Sequence, residues 1–460
     1  MAACLEARRI AACPLAINEV SGAEFEAMIG QAYASGDLSA TAESAMDQPE
    51  DLTALAGSLP RTSDLLDSDD DAPVIKLING ILQEAIKTRA SDIHIEPYES
   101  RLAVRFRIDG ALRDMLSLSS RLSSTLASRV KVMAQLDIAK KRTPQDGRFS
   151  LNLGERAVDV RVSTLPSQYG ERVVMRILEK TSNLLNLSDL GMGAEDLAAF
   201  QSALARPNGI ILVTGPTGSG KTTTLYGALS GLNDGSRNIL SVEDPVEYAL
   251  DGIGQTQVNP QVGMSFAAGL RAILRQDPDV VMVGEIRDPE TAEIAVQAAL
   301  TGHLVLSTVH TNSAVGAITR LRDMGVEPFL LASTVTAIAA QRLVRRLCPH
   351  CKSPYKPSAR ELSELAITHT PQAPFYKAVG CESCRGIGYS GRVGLYEIAE
   401  MDERLRAMIH ESASEADMAA YAFANRQTLL QSGASQVIAG VTSVEDVLRV
   451  CHSATDTELS

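Results

Sequence analysis

Gly215-Pro216-Thr217-Gly218-Ser219-Gly220-Lys221-Thr222 is the stretch that decides the fold class of this 460-residue chain. It fits the pattern G-x-x-x-x-G-K-[ST], in which the backbone N–H groups of a glycine-rich loop surround phosphate oxygens. The apolar run 210–214 before it predicts a buried strand, and the segment from Thr223 to Leu232 predicts a helix. In that setting Lys221 would reach the β- and γ-phosphates and the Thr222 hydroxyl would ligate Mg²⁺. The stretch therefore predicts a binding site for ATP or another nucleoside triphosphate.

Composition limits the classes of function that remain. The length predicts two to four domains, and 45% hydrophobic with 22% charged residues is ordinary for a globular protein. The net charge of −13 argues against a broad nucleic-acid surface, which would be basic. An aromatic content of 4% without tryptophan weakens the case for a platform that stacks single-stranded bases.

No targeting or membrane-spanning segment is expected. The first 20 residues have no sustained apolar core, as a secretory signal would require. The longest apolar candidate, Pro328 to Ala340, falls short of the about 18 residues needed to cross a bilayer, and it carries Ser333, Thr334 and Thr336. These features predict a cytosolic protein that reaches a membrane only through partners or a surface contact.

Two acidic elements follow apolar runs after the glycine-rich stretch. Residues 239–242 lead into Glu243 and Asp244, and residues 280–283 lead into Glu285. Because ligands bind at the carboxyl ends of parallel strands, these acids are expected near the nucleotide. The chemistry needs one carboxylate to support Mg²⁺ and one to orient the attacking water, and the sequence leaves their roles open.

Two histidines bracket the predicted strand 304–309. His303 precedes this strand and His310 follows it. His310 beside the γ-phosphate could sense hydrolysis, whereas a histidine at a strand end is commonly structural. Both interpretations of His310 remain open.

Four of the seven cysteines form two C-x-x-C pairs. These are Cys348 with Cys351 and Cys381 with Cys384, and 29 residues separate the pairs. Four thiolates at this spacing predict a tetrahedral Zn²⁺ site, and a redox pair is the competing interpretation. With four protein ligands the zinc would be structural, and His350 would not be a ligand.

The N-terminal region predicts a small unit of its own. Apolar residues at helical spacing begin at Phe25 and again at Leu52, and Pro60 ends the second pattern. An acidic stretch with the features of a solvated linker follows. We therefore expect a small helical docking unit at 1–62 and an acidic linker at 63–72.

Residues 73–185 predict an α+β domain. Apolar residues at helical spacing between Val74 and Ala85 predict a helix, and alternation predicts strands at 102–108, 158–162 and 172–178. One face of this sheet would carry arginines: Arg105, Arg107, Arg161, Arg172 and Arg176. A solvated sheet face and a face directed at a nucleotide in a neighbouring domain are both possible.

Residues from about 64 to 455 resemble the secretion ATPase superfamily of type II secretion, type IV pili and type IV secretion. Four family boxes occur in order: the Walker A run 215–222, the aspartate box 243–248, the Walker B run 279–288 and the histidine box 302–312. The amino-acid sequences at 90–97, 144–148 and 158–167 are most similar to those of the type II secretion ATPases, the general secretion pathway E proteins. The cysteine pairs agree with that branch and are shared with pilus extension ATPases.

The resemblance implies an α/β fold in which a small helical N-terminal unit and an α+β lobe precede a P-loop ATPase domain. That ATPase domain would be a RecA-like core at 186–345, followed by a zinc-knuckle subdomain at 346–395 and a C-terminal helical region at 396–455. Such proteins act as homohexamers with ATP held between lobes. Their N-terminal domain docks on the cytoplasmic part of an inner-membrane secretion protein.

The resemblance also implies roles for single residues. Glu285 matches the Walker B carboxylate, Glu243 and Asp244 match acids of the aspartate box, and Arg161 and Arg176 match positions that approach the γ-phosphate. The expected function is a cytoplasmic ATPase, peripheral to the inner membrane, that drives pseudopilus assembly and protein export. A type IV pilus extension ATPase, a nucleic-acid motor and a non-hydrolysing nucleotide switch are the alternatives.

Overall fold

The structure is a computed structural model that describes residues 72–153, 156–179, 186–367 and 374–452. The predicted N-terminal helical unit, and the acidic linker up to residue 71, lie outside the described residues. The described residues divide into two compact units, the first at 72–108 and 112–179 and the second at 109–111 and from 186 onward. The finer predicted division of the chain into domains stays a prediction.

The first unit is a six-stranded sheet covered on one face by two helices. Its elements are α1 (Ala72–Lys87), β1 (Ala90–Pro97), β2 (Arg101–Ile108), β3 (Ala111–Ser119), α2 (Ser123–Met133), β4 (Gln145–Leu153), β5 (Arg156–Ser167) and β6 (Gly170–Glu179). The strand order is β3-β2-β1-β6-β5-β4.

Apolar residues on one face of each element build the core of this unit. The helical stripe of α1, including Leu77 and Ile81, packs with alternate residues of the strands, including Val104, Phe106 and Val160. Because side chains alternate along a strand, the arginines of β2, β5 and β6 lie on the other face. The predicted helix and the three predicted strands are therefore all present.

The second unit contains a seven-stranded sheet with the order β15-β12-β7-β11-β10-β8-β9. Its strands are β7 (Gly209–Thr214), β8 (Ile239–Glu243), β9 (Gly254–Gln257), β10 (Val280–Val283), β11 (Leu304–Val309), β12 (Val335–Leu347) and β15 (Tyr389–Glu400). Neighbours from β12 to β9 are parallel, and β15 is antiparallel to β12.

Helices cover both faces of this sheet, which explains why its central strands are continuously apolar. They are α3 (Ala194–Leu204), α4 (Lys221–Leu232), α5 (Phe266–Ile273), α6 (Pro289–Leu300), α7 (Gly316–Asp323), α8 (Pro328–Thr334), α10 (Glu403–His410), α11 (Glu415–Ala422), α12 (Leu429–Ile438) and α13 (Val444–His452). In β7, Ile210 and Leu212 enter one core while Ile211 and Val213 enter the other. The predicted α/β class is confirmed.

A small excursion interrupts the antiparallel pair β12–β15. It contains β13 (Ser353–Tyr355), α9 (Ala359–Glu364) and β14 (Phe375–Lys377), and β13 pairs with β14. The pairing of β12 with β15 extends to Leu347 opposite Tyr389. The excursion therefore leaves the large sheet and returns to it at the same place.

Two boundaries differ from the sequence-based expectation. Helix α4 begins at Lys221 rather than Thr223, because Gly220 takes a left-handed conformation (φ 87°) and turns the loop directly into the helix. The apolar run from Pro328 to Ala340 is split at Val335 between α8 and β12. Among the described residues, no helix is both long enough and apolar enough to span a membrane.

Candidate functional site

The glycine-rich loop joins the carboxyl end of β7 to the first turn of α4, as predicted. Gly215, Gly218 and Gly220 all have positive φ angles, of 149°, 81° and 87°. A Cβ atom on Gly215 would lie 2.5 Å from the carbonyl oxygen of Gln341. All three positions therefore favour glycine for backbone conformation, and Gly215 also requires it for close approach to β12.

Lys221 lies over the loop that it follows. Its Nζ donates hydrogen bonds to the carbonyl oxygens of Gly215 (2.8 Å) and Pro216 (3.1 Å). Burial lowers the pKa of Lys221 to about 8, and the nearby charge of Glu285 acts in the opposite direction. The ammonium group is thus held at the loop by weak neutral acceptors, which an anion can replace.

Glu285 and His310 meet at the carboxyl edge of the sheet. Glu285 is 8% exposed, and its Oε2 lies 3.4 Å from Nε2 of His310 and 2.5 Å from Nε of Arg287. Burial lowers the pKa of His310, as does the charge of Lys221, while Glu285 raises it. Lys221, Glu285 and His310 therefore form one electrostatic group, and the imidazole is biased towards its neutral form.

Strand β11 fixes the loop that carries Glu285. Ser307 donates a hydrogen bond to the carbonyl of Val283 (2.8 Å), and Thr308 donates one to the carbonyl of Gly284 (2.7 Å). The N–H of Ile286 donates to the carbonyl of Thr308 (2.9 Å). These three hydrogen bonds fix the backbone before and after Glu285. They therefore determine where its carboxylate can lie.

A buried hydroxyl joins the glycine-rich loop to the loop after β11, which carries His310 and is called the histidine loop below. Thr214, the last residue of β7, is fully buried and accepts a hydrogen bond from the N–H of Thr311 (2.9 Å). The two threonine hydroxyl oxygens are 2.6 Å apart. His303 lies at the other end of β11, where its Nδ1 is 2.9 Å from the carbonyl oxygen of Ala298, so it belongs to the opposite edge of the sheet.

Glu243 has a different environment from Glu285. It is 2% exposed, and its carboxylate accepts hydrogen bonds from the hydroxyls of Tyr226 and Ser241 (2.6 Å) and from Nε2 of Gln255 (3.1 Å). The next residue, Asp244, is exposed. The oxygens of Glu243 are thus bound by protein donors, whereas the carboxylate of Asp244 is accessible to a ligand.

Tyr226 of α4 is the centre of this polar group and was missed by sequence reasoning. Its hydroxyl donates to Glu243 and accepts from the N–H of Glu247 (3.2 Å) and from Nε2 of Gln255 (3.3 Å). Burial, followed by the charge of Glu243, raises the pKa of Tyr226. Its ring also packs edge-on against Tyr248, with 4.7 Å between ring centroids. The helix behind the glycine-rich loop therefore holds the whole segment 243–248.

The predicted arginine face is present in the first unit. Arg176 has a 59% exposed side chain, and its Nε lies 2.9 Å from the buried carboxylate of Asp92. Arg161 lies directly opposite Arg176 in the pairing of β5 with β6. On the same face Arg105, at 2.5 Å, and Arg172 pair with the buried carboxylate of Glu96, and the Nε of Arg107 is 3.7 Å from Asp92.

The four cysteines of the two C-x-x-C pairs come together in the excursion between β12 and β15. Their sulfur atoms all lie within 4.8 Å of one another, with Sγ–Sγ distances of 3.7 Å for Cys381–Cys384 and Cys351–Cys384 and 3.9 Å for Cys348–Cys381. A tetrahedral ion with Zn–S bonds of about 2.3 Å requires sulfur separations of about 3.8 Å. The geometry fits a zinc ion.

Backbone N–H groups support the cysteine cluster. The N–H groups of Cys381 (3.2 Å) and Gly388 (3.1 Å) donate to Sγ of Cys384, and the N–H of Gly380 donates to Sγ of Cys351 (3.3 Å). Burial raises the pKa of Cys384, but the two N–H donors together with the neighbouring thiols of Cys351 and Cys381 outweigh it and lower this pKa to about 6. Such donors favour thiolates, which are the form that binds metal. His350 is exposed and lies outside the four-sulfur cluster.

The sequence is similar to known secretion proteins along nearly its whole length. The sequence model of the family described as "Type II/IV secretion system protein" matches residues 67–449. A Vibrio cholerae protein named "Type II secretion system ATPase E" is 55% identical over 452 residues, which cover 98% of this chain and 90% of that relative. A Pseudomonas aeruginosa "Type II secretion system protein E" has the same identity and coverage.

Solved structures of secretion and pilus ATPases have a similar fold. The pilus retraction motor PilT with bound ADP aligns with a TM-score of 0.56 at 27% identity, covering 80% of this chain and 95% of that chain. The Legionella pneumophila ATPase DotB aligns with a TM-score of 0.61, covering 81% and 94% of the two chains. The identity to DotB is 21%, so that likeness concerns the fold alone.

Replacing Tyr226 with phenylalanine should loosen the segment 243–248. The change removes one hydroxyl and leaves Glu243 and the N–H of Glu247 each short of a partner, at a cost of about 1–3 kcal/mol. Amide hydrogen exchange should show faster exchange at Glu247. Tyr421→Phe is the matched control, because the Tyr421 hydroxyl bonds an exposed carboxylate, that of Asp402. Equal protection of Glu247 in Tyr226→Phe and wild type would contradict the assigned contact.

Proposed function

This chain belongs to the Type II/IV secretion system protein family, and on that premise we propose that it is the ATPase that powers pseudopilus assembly and protein export in a type II secretion system. The observation that carries the proposal is the convergence of Lys221, Glu285 and His310 at one sheet edge beside the glycine-rich loop. Similarity to type II secretion proteins along nearly the whole chain favours this function over type IV pilus extension.

The glycine-rich loop is proposed as the P-loop that binds ATP. Residues 215–220 would direct backbone N–H groups at the phosphates, and Lys221 would exchange its two carbonyl acceptors for β- and γ-phosphate oxygens. Thr222 and Thr223 are half-buried residues in the first turn of α4, directly after Lys221. Thr222 would ligate Mg²⁺, which neutralises phosphate charge when bound.

Glu285 is the acid best placed to act on the attacking water. Its carboxylate is buried, lies within 3.4 Å of His310, and is held by the hydrogen bonds of β11. The imidazole of His310 favours its uncharged form. It could therefore change its hydrogen-bond partner when the γ-phosphate leaves. Asp244 is accessible and would support Mg²⁺, while Glu243 would contribute by holding the loop that carries Asp244.

Arg161 and Arg176 are proposed to neutralise charge on the γ-phosphate in the assembled enzyme. The guanidinium group suits phosphate oxygens because its planar donors are fixed and always charged. The neighbouring positions of these arginines on β5 and β6, and the exposure of Arg176, support this proposal.

The assembly and location follow the family. We propose a homohexamer that docks through its N-terminal unit on cytoplasmic domains of inner-membrane secretion proteins. The protein would then work at the cytoplasmic face of that membrane, without nucleic acid as a partner.

One zinc ion per chain is proposed at Cys348, Cys351, Cys381 and Cys384. The cluster offers four sulfur ligands at tetrahedral spacing, so the ion would be structural and would close the excursion between β12 and β15.

Lys221→Ala should abolish Mg²⁺-dependent ATP hydrolysis while the fold is retained, because it removes the cation at the β- and γ-phosphates. Purified variant and wild type would be compared by phosphate release and circular dichroism. Lys377→Ala, which changes an exposed lysine on β14, is the control and should hydrolyse ATP normally. An unchanged rate in Lys221→Ala would refute the site.

A deletion strain of the source organism, complemented with wild type or with Lys221→Ala, distinguishes type II secretion from pilus extension. A gene deletion should remove secreted enzymes from the culture supernatant and leave pili intact, and the wild-type gene but not Lys221→Ala should restore secretion. Loss of pili with normal secretion would instead assign the protein to pilus extension.

Nucleotide affinity should fall as the pH rises above 8. Burial lowers the pKa of Lys221 to about 8, so a rise in pH above this value removes the ammonium group that the phosphates require. The Kd for ATP should increase about tenfold per pH unit from pH 8 until the pKa of the bound state is reached. Lys221→Arg should remove this slope, because arginine stays charged.

The lowered pKa of Lys221 also determines how the free energy of unfolding changes with pH. Folding lowers the pKa of Lys221 below its ordinary value of 10.5, so the folded state releases this proton first. The contribution of Lys221 to the free energy of unfolding should therefore rise between about pH 8 and 10.5.

Metal analysis should find one zinc per chain, and Cys381→Ser should lose it. The excursion between β12 and β15 would then lose the ion that closes it, and thermal unfolding should begin at a lower temperature. Cys451→Ser is the control, since that cysteine lies outside the cluster and should leave the zinc content unchanged. Purified wild-type protein without zinc would contradict the assignment.

A further inference from the structure

Gln341 is a buried polar residue that sequence reasoning did not single out. It lies on β12, one residue beyond the point where Ala340 pairs with Thr214 at the end of β7. Its side chain is about 1% exposed. The amide is therefore placed directly behind the glycine-rich loop.

Both ends of this amide bind the loop and the helix that follows it. Nε2 of Gln341 donates a hydrogen bond to the carbonyl oxygen of Ser219 (2.7 Å), and its Oε1 accepts one from the hydroxyl of Thr224 (2.7 Å). The hydroxyl of Tyr396 lies 3.3 Å from that of Thr224. The side chain thus connects one loop residue with the first turn of α4.

The bond to Ser219 determines which way the next peptide N–H points. In a trans peptide the carbonyl and the following N–H point in opposite directions. Turning the carbonyl of Ser219 towards Gln341 therefore turns the N–H of Gly220 away from β12, towards the inside of the loop. A Cβ on Gly220 would lie 2.9 Å from Nε2 of Gln341, so the loop is packed closely on this amide.

We propose that Gln341 is a positioning residue that holds the loop in its phosphate-binding conformation before nucleotide arrives. The inference rests on the proposed ATP site. Gln341 would make no contact with nucleotide, and its effect would be to raise the fraction of protein molecules whose loop is ready to bind. When only a fraction of molecules is competent, the apparent Kd rises in inverse proportion to that fraction.

The test compares three variants by binding of a fluorescent ADP and by ATP hydrolysis. Gln341→Met keeps the size of the side chain and removes both hydrogen bonds. Gln341→Leu removes the same two hydrogen bonds with a branched apolar side chain and adds no charge near the phosphates. Thr336→Val is the matched control, because Thr336 is a buried residue of the same strand whose hydroxyl bonds the carbonyl of Ile210 (3.0 Å), away from the loop.

Both Gln341 variants should raise the Kd for ADP and the KM for ATP about tenfold, with kcat at saturation within about twofold of wild type. Thr336→Val should lower the unfolding temperature about as much as the Gln341 variants do, because each removes a buried hydrogen bond. It should leave nucleotide affinity unchanged. If the variants bind ADP like wild type, or if Thr336→Val weakens binding equally, the positioning role is overturned. Wild-type protein that binds no nucleotide would instead overturn the proposed function, and the inference with it.

Discussion

Parallel pairing of β8, β10, β11, β7 and β12 brings the loops after β8, β10, β11 and β7 to one edge of a sheet. Short side chains then fix these loops to each other. Thr214 joins the glycine-rich loop to the histidine loop. Thr308 joins β11 to the loop that carries Glu285. Each of these bonds is made by a buried hydroxyl, which costs free energy if left without a partner. The site is therefore assembled by the sheet, and its acids are placed before any ligand binds.

The two predicted glutamates show how environment separates residues of the same type. Glu243 is surrounded by neutral donors from Tyr226, Ser241 and Gln255, which satisfy its charge inside the protein. Glu285 has cationic or titratable neighbours, Arg287 and His310, at an edge open to a ligand. A carboxylate whose hydrogen bonds are satisfied stabilises a loop, whereas one beside charged or titratable groups can respond to a change in ligand charge. The same residue type is thus held by neutral protein donors at one strand end and lies beside charged or titratable groups at another.

Much of this arrangement could be predicted from the sequence, because its signals are local. The glycine spacing, the apolar runs before Glu243 and Glu285, the alternation that places arginines on one face, and the cysteine pairs each lie within a few residues. Contacts between distant segments left no such signal. Gln341 is far in sequence from Ser219, and Tyr226 binds Glu243 from another element. Pro328 to Ala340 is a single apolar run in the sequence, and only tertiary pairing with β7 and β15 makes its second half a strand.

The excursion that carries the cysteines has the topology of an enlarged hairpin turn. β12 and β15 remain paired up to Leu347 and Tyr389, and Cys348 follows immediately. Because the ends of the excursion are fixed by that pairing, its length can change at little entropic cost to the sheet. Insertions should therefore be tolerated best away from Leu365 and Phe375, which pack in one core with Val344 of β12 and Val393 of β15.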